Sequence, residues 1–391
     1  MALPLPIEPD LDVGSSLRSK LLTSDTTKPL DWLLPVRVLG SGADVVAIES
    51  KAILNGTTLP VLVRVALVTE EVYLNEEKVE VKRPTVTDES LITAFLSAKG
   101  WPNLLTVFGS LRCVSNEVLT RQVSEQRRED PVYKQLDLPR FCDAKSVTVT
   151  TLSGFGNAKY KDVIIYDPVP VDLTVVELLP LTYNQLKAQT TDPALWAKIR
   201  WSAFSQCCAT LQLAQDEFGF EHNDLYDSNM MFKPTDAKVY EYKIRNRVYT
   251  VPLYGWFVVL IDFGLARMTK APGRTRTLVA EHLALKLDSD VRKEYWLPLD
   301  PYKAPLNTYY DVGCLYDEMF GKEVTALNVF MGLHGLHIDA NVGRPMAVLL
   351  LFEPVDVLNF IARPTEYMTN LVASKAYQAA VTATVPITVL T

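Results

Sequence analysis

Two acidic residues, Asp224 and Asp262, stand in sequence settings suited to phosphoryl transfer. The first lies in His222-Asn223-Asp224-Leu225-Tyr226-Asp227-Ser228-Asn229, the second in Leu260-Ile261-Asp262-Phe263-Gly264-Leu265-Ala266-Arg267. Moving a phosphoryl group calls for a carboxylate beside the attacking hydroxyl, with an Asn and a second Asp as oxygen ligands for magnesium. Asn229 follows Asp224 at the required five-residue interval, and the second Asp comes later in the chain. Asp224 is thus the candidate for orienting the hydroxyl, and Asn229 and Asp262 are the candidate Mg2+ ligands. An Asp and an Asn five apart occur by chance, whereas both motifs in this order are hard to obtain by accident.

Each motif needs an element to hold it. The apolar run before Asp262 reads as a strand, and 193–218 reads as a helix leading into the Asp224 loop. Trp196, Ile199, Ala203, Cys207, Leu211 and Ala214 form an apolar stripe on that helix, and Gly219 ends it. Such a stripe is core rather than a cofactor site. Between the two motifs, 239–244 and 247–252 alternate like an extended hairpin. Nearer the start, strand-like runs at 33–39 and 45–48 flank Gly40-Ser41-Gly42-Ala43-Asp44. Glycines in such a turn let backbone N–H groups approach phosphates. Asn55-Gly56 is a hairpin signal, and Val61-Leu62-Val63-Arg64-Val65-Ala66-Leu67 reads as the next strand. A helix is expected over 88–98, then Trp101-Pro102-Asn103-Leu104-Leu105, and a strand over 173–180.

Taken in order, these segments resemble the protein kinase superfamily from about 33 to 320. The resemblance implies an α+β, bilobal fold with a small β-rich N-lobe and a mainly helical C-lobe. Its implied organisation is an extension over 1–30, an N-lobe over 31–180 with an insertion at about 115–170, and a C-lobe over 181–391 with a hairpin insertion at about 236–256. It implies ATP and Mg2+ as cofactors, with Gly40, Ser41 and Gly42 at the phosphates, Val46 also binding the nucleotide, and Glu177 and Leu179 offering backbone groups to adenine. Arg64 stands where the family has a phosphate-pairing lysine, with Lys51 and Lys78 as fallbacks. Glu89 is the candidate ion-pair partner, ahead of Glu76, Glu77 and Glu80. Asp311, in Tyr310-Asp311-Val312-Gly313, is expected to anchor the backbone of the Asp224 loop.

Other positions depart from the family pattern. The glycine-rich turn lacks its third glycine, Leu306 replaces the glutamate of the Ala-Pro-Glu motif, and Tyr226 replaces a lysine. Asn223 replaces the arginine that pairs with a phosphorylated activation loop in regulated kinases, which implies independence from that switch. Over 220–267 the chain resembles protein kinases of nucleocytoplasmic large DNA viruses, of the mimivirus-like and marseillevirus-like groups. The shared features are His-Asn-Asp-Leu, the Tyr-rich hairpin, Val251-Pro252-Leu253-Tyr254-Gly255 and Ile-Asp-Phe-Gly, with Tyr226 in place of an expected histidine. The expectation is a viral Ser/Thr protein kinase, located in the host cytoplasm or the virion, acting on protein hydroxyls. A pseudokinase scaffold or virion component, and a small-molecule phosphotransferase of choline- or aminoglycoside-kinase type, are the alternatives.

Composition narrows the remaining classes. With 391 residues, 48% hydrophobic and 22% charged, the chain can bury a sizeable core. A net charge of −7 argues against a dedicated nucleic-acid binder. No signal peptide is evident, and the apolar stretch 346–352 is too short to cross a bilayer, so a soluble intracellular protein is expected. Five cysteines without C-x-x-C spacing point to buried free thiols rather than a disulfide framework or a zinc site. His334, His337 and Asp339 read as a surface loop rather than a metal site.

Overall fold

The computed structural model describes residues 11–41, 45–74, 77–82, 87–115, 140–143, 169–280, 283, 302–303, 310–320 and 354–362. The architecture is α+β. Two compact units divide the chain, with crossings at Thr87/Asp88, Leu105/Thr106 and Leu178/Leu179. The segment from Asp88 to Leu105 therefore groups with the second unit rather than with the strands on either side of it.

The first unit is built on an antiparallel sheet in the order β1-β2-β3-β7-β6. Its strands are β1 (Leu33–Ser41), β2 (Val45–Leu54), β3 (Thr57–Leu67), β6 (Val107–Ser115) and β7 (Val169–Glu177). A separate hairpin pairs β4 (Thr69–Leu74) with β5 (Glu77–Lys82). Asn55 and Gly56 take φ of 49° and 81°, the left-handed values a two-residue turn between twisted strands requires. That turn sets Leu54 opposite Thr57 and so fixes which face each later residue occupies. Val61, Val63 and Val65 are fully buried on one face, together with Val46 and Ile48 of β2.

Leu17 and Leu21 of α1 (Leu11–Leu22) cover that face, with Phe108 and Phe141 completing the core. The stretch expected as an extension thus supplies part of the core. Cys113 of β6 and Cys142 form a disulfide with Cα atoms 5.3 Å apart, which corrects the expectation of free thiols at these two positions. They lie 29 residues apart, and the fold, not a local motif, brings them together. Cys207, Cys208 and Cys314 are free and buried.

The second unit has α2 (Asp88–Ser97), α3 (Tyr183–Gln189), α4 (Pro193–Phe218), α5 (Tyr310–Phe320) and α6 (Pro354–Ala362) as its described helices. Helix α4 starts where Asp192 accepts the Ala194 N–H at 2.9 Å and Pro193 occupies the first turn. It stops at Gly219, whose φ of 57° is left-handed. A Cβ there would collide with the Thr269 hydroxyl, so the glycine serves both the turn and the close approach of the next segment. The expected stripe is buried apart from Trp196, which is partly buried, but Cys208, Ala209, Gln206 and Thr210 on other faces are buried too. Helix α4 is therefore a central element rather than an amphipathic surface one.

Gln206 makes that central position workable. Its Oε1 accepts from Asn103 Nδ2 at 2.8 Å and from the Val258 N–H at 3.0 Å, while its Nε2 donates to Ser202 Oγ at 3.0 Å. Asn103 also donates to the Val258 carbonyl and accepts from the Tyr242 hydroxyl at 2.6 Å. Burial of such groups is tolerated because their hydrogen bonds are made. The network ties the 101–105 segment and α4 to β13 (Trp256–Leu260) and to the hairpin of β11 (Val239–Ile244) and β12 (Arg247–Pro252).

Candidate active site

The catalytic candidates of the second unit are presented by short strands. Strand β9 (Phe220–Glu221) pairs with β14 (Arg267–Met268), which pairs with β15 (Leu278–Val279). Strand β10 (Met230–Pro234) lies between β13 and β8 (Leu181–Thr182). The Asp224 loop therefore runs from β9 to β10, and Asp262 follows directly from β13. The Ile261 N–H donates to the Asn229 carbonyl at 3.1 Å, joining the two motifs through their backbones.

His222-Asn223 forms a turn held from behind. The His222 and Asn223 N–H groups each donate to a different oxygen of buried Asp311 on α5, both at 2.7 Å. Asn223 has φ of 62°, a value at which Asn is tolerated better than most residues, and its side-chain amide donates to the Leu265 carbonyl at 3.1 Å. Burial pushes the Asp311 carboxyl up to about 7, against the lowering influence of the two N–H bonds. His222 is itself fully buried, and burial holds its imidazole below its ordinary value. Its Nε2 bonds the Ile261 carbonyl at 3.0 Å, and its ring packs 5.4 Å from Phe263.

On this frame Asp224 and Asn229 are side by side. Asn229 Nδ2 donates to the Asp224 carbonyl at 2.7 Å and to Asp224 Oδ2 at 3.1 Å. Both amide hydrogens are thereby used, and Oδ1 is the remaining side-chain atom able to ligate a cation. Asp262 is exposed, has φ of 62°, and accepts the Gly264 N–H on Oδ1 at 3.3 Å. Non-glycine residues at positive φ cost conformational energy, and such positions concentrate at functional sites. An amide oxygen and an exposed carboxylate are hard oxygen donors that fit Mg2+, which takes its remaining ligands from phosphate and water. Among the described residues no group of three or more His, Cys, Asp or Glu converges, so the fit rests on those two side chains.

The first unit holds other candidates. Arg64 lies on β3 opposite Ala47 and Thr174, on the sheet face away from the Val61, Val63 and Val65 core. Val46 points into that core and is 2% exposed, so its neighbour Ala47 shares the face of Arg64. Gly40 and Ser41 end β1, paired with Ala47 and Val46, and Gly42 lies outside the described residues. Lys51 is exposed on β2, and Lys78, Glu77 and Glu80 lie on β5. Glu76 is outside the described residues, so of the four glutamates considered Glu89 alone occupies a described helix, the first turn of α2.

Glu177 ends β7. Its N–H donates to the Thr106 carbonyl at 3.0 Å and its carboxylate accepts the Thr106 N–H at 2.8 Å. Leu179 is buried. The loop with His334, His337 and Asp339, Leu306, and the 144–168 stretch lie outside the described residues.

Sequence reasoning missed two acidic groups. Glu221 and Arg267 form a fully buried pair, Nε to Oε2 2.5 Å. Asp88, one residue before Glu89, accepts both Nη atoms of Arg276 and the Val279 N–H. A charged residue inside the short apolar strand before His222 was the available signal for the first. The second had none, because an acidic residue at a helix start is ordinary.

No family model matches the chain. Over 69 residues it is 33% identical to the serine/threonine-protein kinase haspin of Mus musculus, a match covering 18% of this chain and 9% of the mouse protein. Among the described residues, no helix is long and apolar enough to cross a membrane.

Proposed function

We propose that the chain is an ATP- and Mg2+-dependent serine/threonine protein kinase with a bilobal kinase fold. The observation that carries this reading is the pairing of Asp224 with Asn229 on a turn held by Asp311, beside Asp262. The short similarity to a serine/threonine kinase supports the same class. A viral member of the family, working in the host cytoplasm or the virion, is supported by His-Asn-Asp-Leu, the Tyr240, Tyr242 and Tyr249 hairpin, and Ile-Asp-Phe-Gly.

In this reading Asp224 accepts a hydrogen bond from the substrate hydroxyl and orients it for attack. Asn229 keeps the Asp224 carboxylate in place through its amide, and its remaining oxygen would be available to a metal. Asn229 and Asp262 would hold Mg2+, whose charge offsets that of the phosphates when bound. His222 is part of the packed frame, its Nε2 bonded to the Ile261 carbonyl at 3.0 Å.

A pseudokinase scaffold is the second reading, favoured by Arg64 in place of lysine, because a forked guanidinium does not replace a compact ammonium in a tight site. The test is a thermal melt with ATP, with and without magnesium, followed by phosphate transfer to a generic protein acceptor. At ATP a hundredfold above its Kd, stabilisation of about 2.7 kcal/mol is expected. Asp262→Asn should weaken the Mg-ATP-dependent part. Unchanged Mg-ATP affinity in a folded Asp262→Asn protein removes Asp262 from the metal site, and binding without transfer favours the scaffold.

A further inference from the structure

The segment after Asp262 has to be held in one place if Asp224 is to meet a substrate. In this chain the contacts of Asp88 supply the means of holding it. Asp88 opens α2, and its side chain is 9% exposed. Both of its oxygens are engaged. Oδ2 accepts from Arg276 Nη1 at 2.6 Å and Oδ1 from Arg276 Nη2 at 2.7 Å, the parallel two-bond arrangement in which guanidinium and carboxylate match best. Oδ2 also accepts the Val279 N–H at 3.1 Å, and Arg276 Nη1 reaches the Thr277 carbonyl at 3.2 Å. One carboxylate thus gathers a side chain and a backbone group from the same stretch, at a helix start where negative charge is favoured.

From Val279 the connection continues by backbone pairing. Val279 lies opposite Arg267 on β14, and Arg267 lies opposite Glu221 on β9. The Ala280 N–H donates to the Ala266 carbonyl at 2.9 Å. Glu221 immediately precedes the His222-Asn223 turn that presents Asp224. The Arg267 guanidinium is spent on Glu221 inside the protein, and that of Arg276 on Asp88. Two arginines of this segment are therefore satisfied by carboxylates of the chain itself.

We propose that Asp88 is a positioning residue for phosphoryl transfer: it fixes Arg276 and Val279, and through β15, β14 and β9 the Asp224 loop, without an added phosphate. This rests on the kinase reading above. Asp88 touches neither substrate nor nucleotide in this role. It acts through the order of the segment that begins at Asp262.

The test compares full-length wild type with Asp88→Asn, Asp88→Glu and Arg276→Gln. Hydrogen exchange is followed over 266–280 and over α4, and transfer from ATP to a generic protein acceptor is measured after phosphatase treatment. Losing a charged, two-bond partner should raise exchange at 278–280 about ten- to hundredfold in Asp88→Asn and Arg276→Gln, with α4 unchanged. Transfer should fall in kcat more than in the KM for ATP, and Asp88→Glu should restore part of both. Unchanged exchange in both Asp88→Asn and Arg276→Gln overturns the clamp whatever the activity. Faster exchange with kcat intact makes the contact merely structural and overturns the positioning role. Loss of wild-type transfer on phosphatase treatment shows that a phosphate is required and overturns it as well. A wild type that transfers nothing before or after treatment defeats the kinase reading and the positioning role with it, while exchange still reports on the clamp.

Discussion

Arg267 and Glu221 face one another from adjacent strands with 2.5 Å between Nε and Oε2, and each side chain is only 1% exposed. Taking two charges out of water is costly, and their attraction repays it only while both remain. Removing one partner should therefore be far worse than removing both. Glu221→Gln or Arg267→Met alone is expected to cost about 3–5 kcal/mol, and Glu221→Leu combined with Arg267→Met to recover much of that. Denaturant melts of the two single variants and the double variant measure it. A double variant as unstable as the sum of the singles would contradict the account.

Asp311 makes stability depend on pH in a direction opposite to most carboxylates. Burial is the main cause of its rise to about 7, from an ordinary value of 3.8, and nearby Glu221 adds to it. Between those values the folded protein holds a proton that the unfolded chain releases. Stability from this group is therefore greatest at the acid end, falls as pH rises towards about 7, and is level above it. His222, held low by burial, works the other way below its ordinary value of 6.5. Comparing wild type with Asp311→Asn cancels the histidine. Relative to Asp311→Asn, wild type should lose stability between about pH 4 and about pH 7. A difference that is flat or rises across that interval would show that Asp311 stays ionised.

The Cys113–Cys142 disulfide closes a long loop, with 29 residues separating its ends. Chain-entropy reasoning assigns a loop of that size about 3–4 kcal/mol, through restriction of the unfolded state. Cys142→Ser should lower stability by that order, and reductant should lower the wild-type Tm while leaving Cys142→Ser unaffected. Equal melts with and without reductant would show that the bond does not form.

How far the chain could be read from its letters differed from place to place. The Asn55-Gly56 turn and helix α4, with its Pro193 start and Gly219 stop, were legible because each depends on local chemistry, and the anchoring role of Asp311 was legible only through the resemblance of its segment to the kinase superfamily. Helix α1 was not legible. Its Gly14-Ser15-Ser16 stretch forms helix poorly alone, and Leu17 and Leu21 gain their burial only against the sheet. The face of Val46 was equally hidden: alternation along β2 says which residues share a face, but which face becomes core is decided by Leu17, Leu21 and Phe108 from other parts of the chain. The bonds of Asp88 and Glu221 required tertiary pairing across many residues, which no local pattern announces.

Arg64 separates an enzyme from a scaffold most sharply. It sits in the middle of β3, flanked by Ala47 and Thr174 and turned away from the valine core, where a lysine would be expected in a kinase. Guanidinium keeps the charge but adds bulk and a fixed fork. If the site has adapted to arginine, Arg64→Ala should abolish transfer, and Arg64→Lys should retain or improve it. Asp224→Ala serves as the inactive control: it should keep nucleotide binding and lose about a hundred- to ten-thousandfold in rate. Full activity in Arg64→Ala would assign the phosphate-pairing role to another cation, with Lys51 of β2 and Lys78 of β5 the first to examine. Wild-type transfer no greater than that of Asp224→Ala, with ATP still bound, would place the chain among scaffolds, because both proteins would then lack the same chemistry.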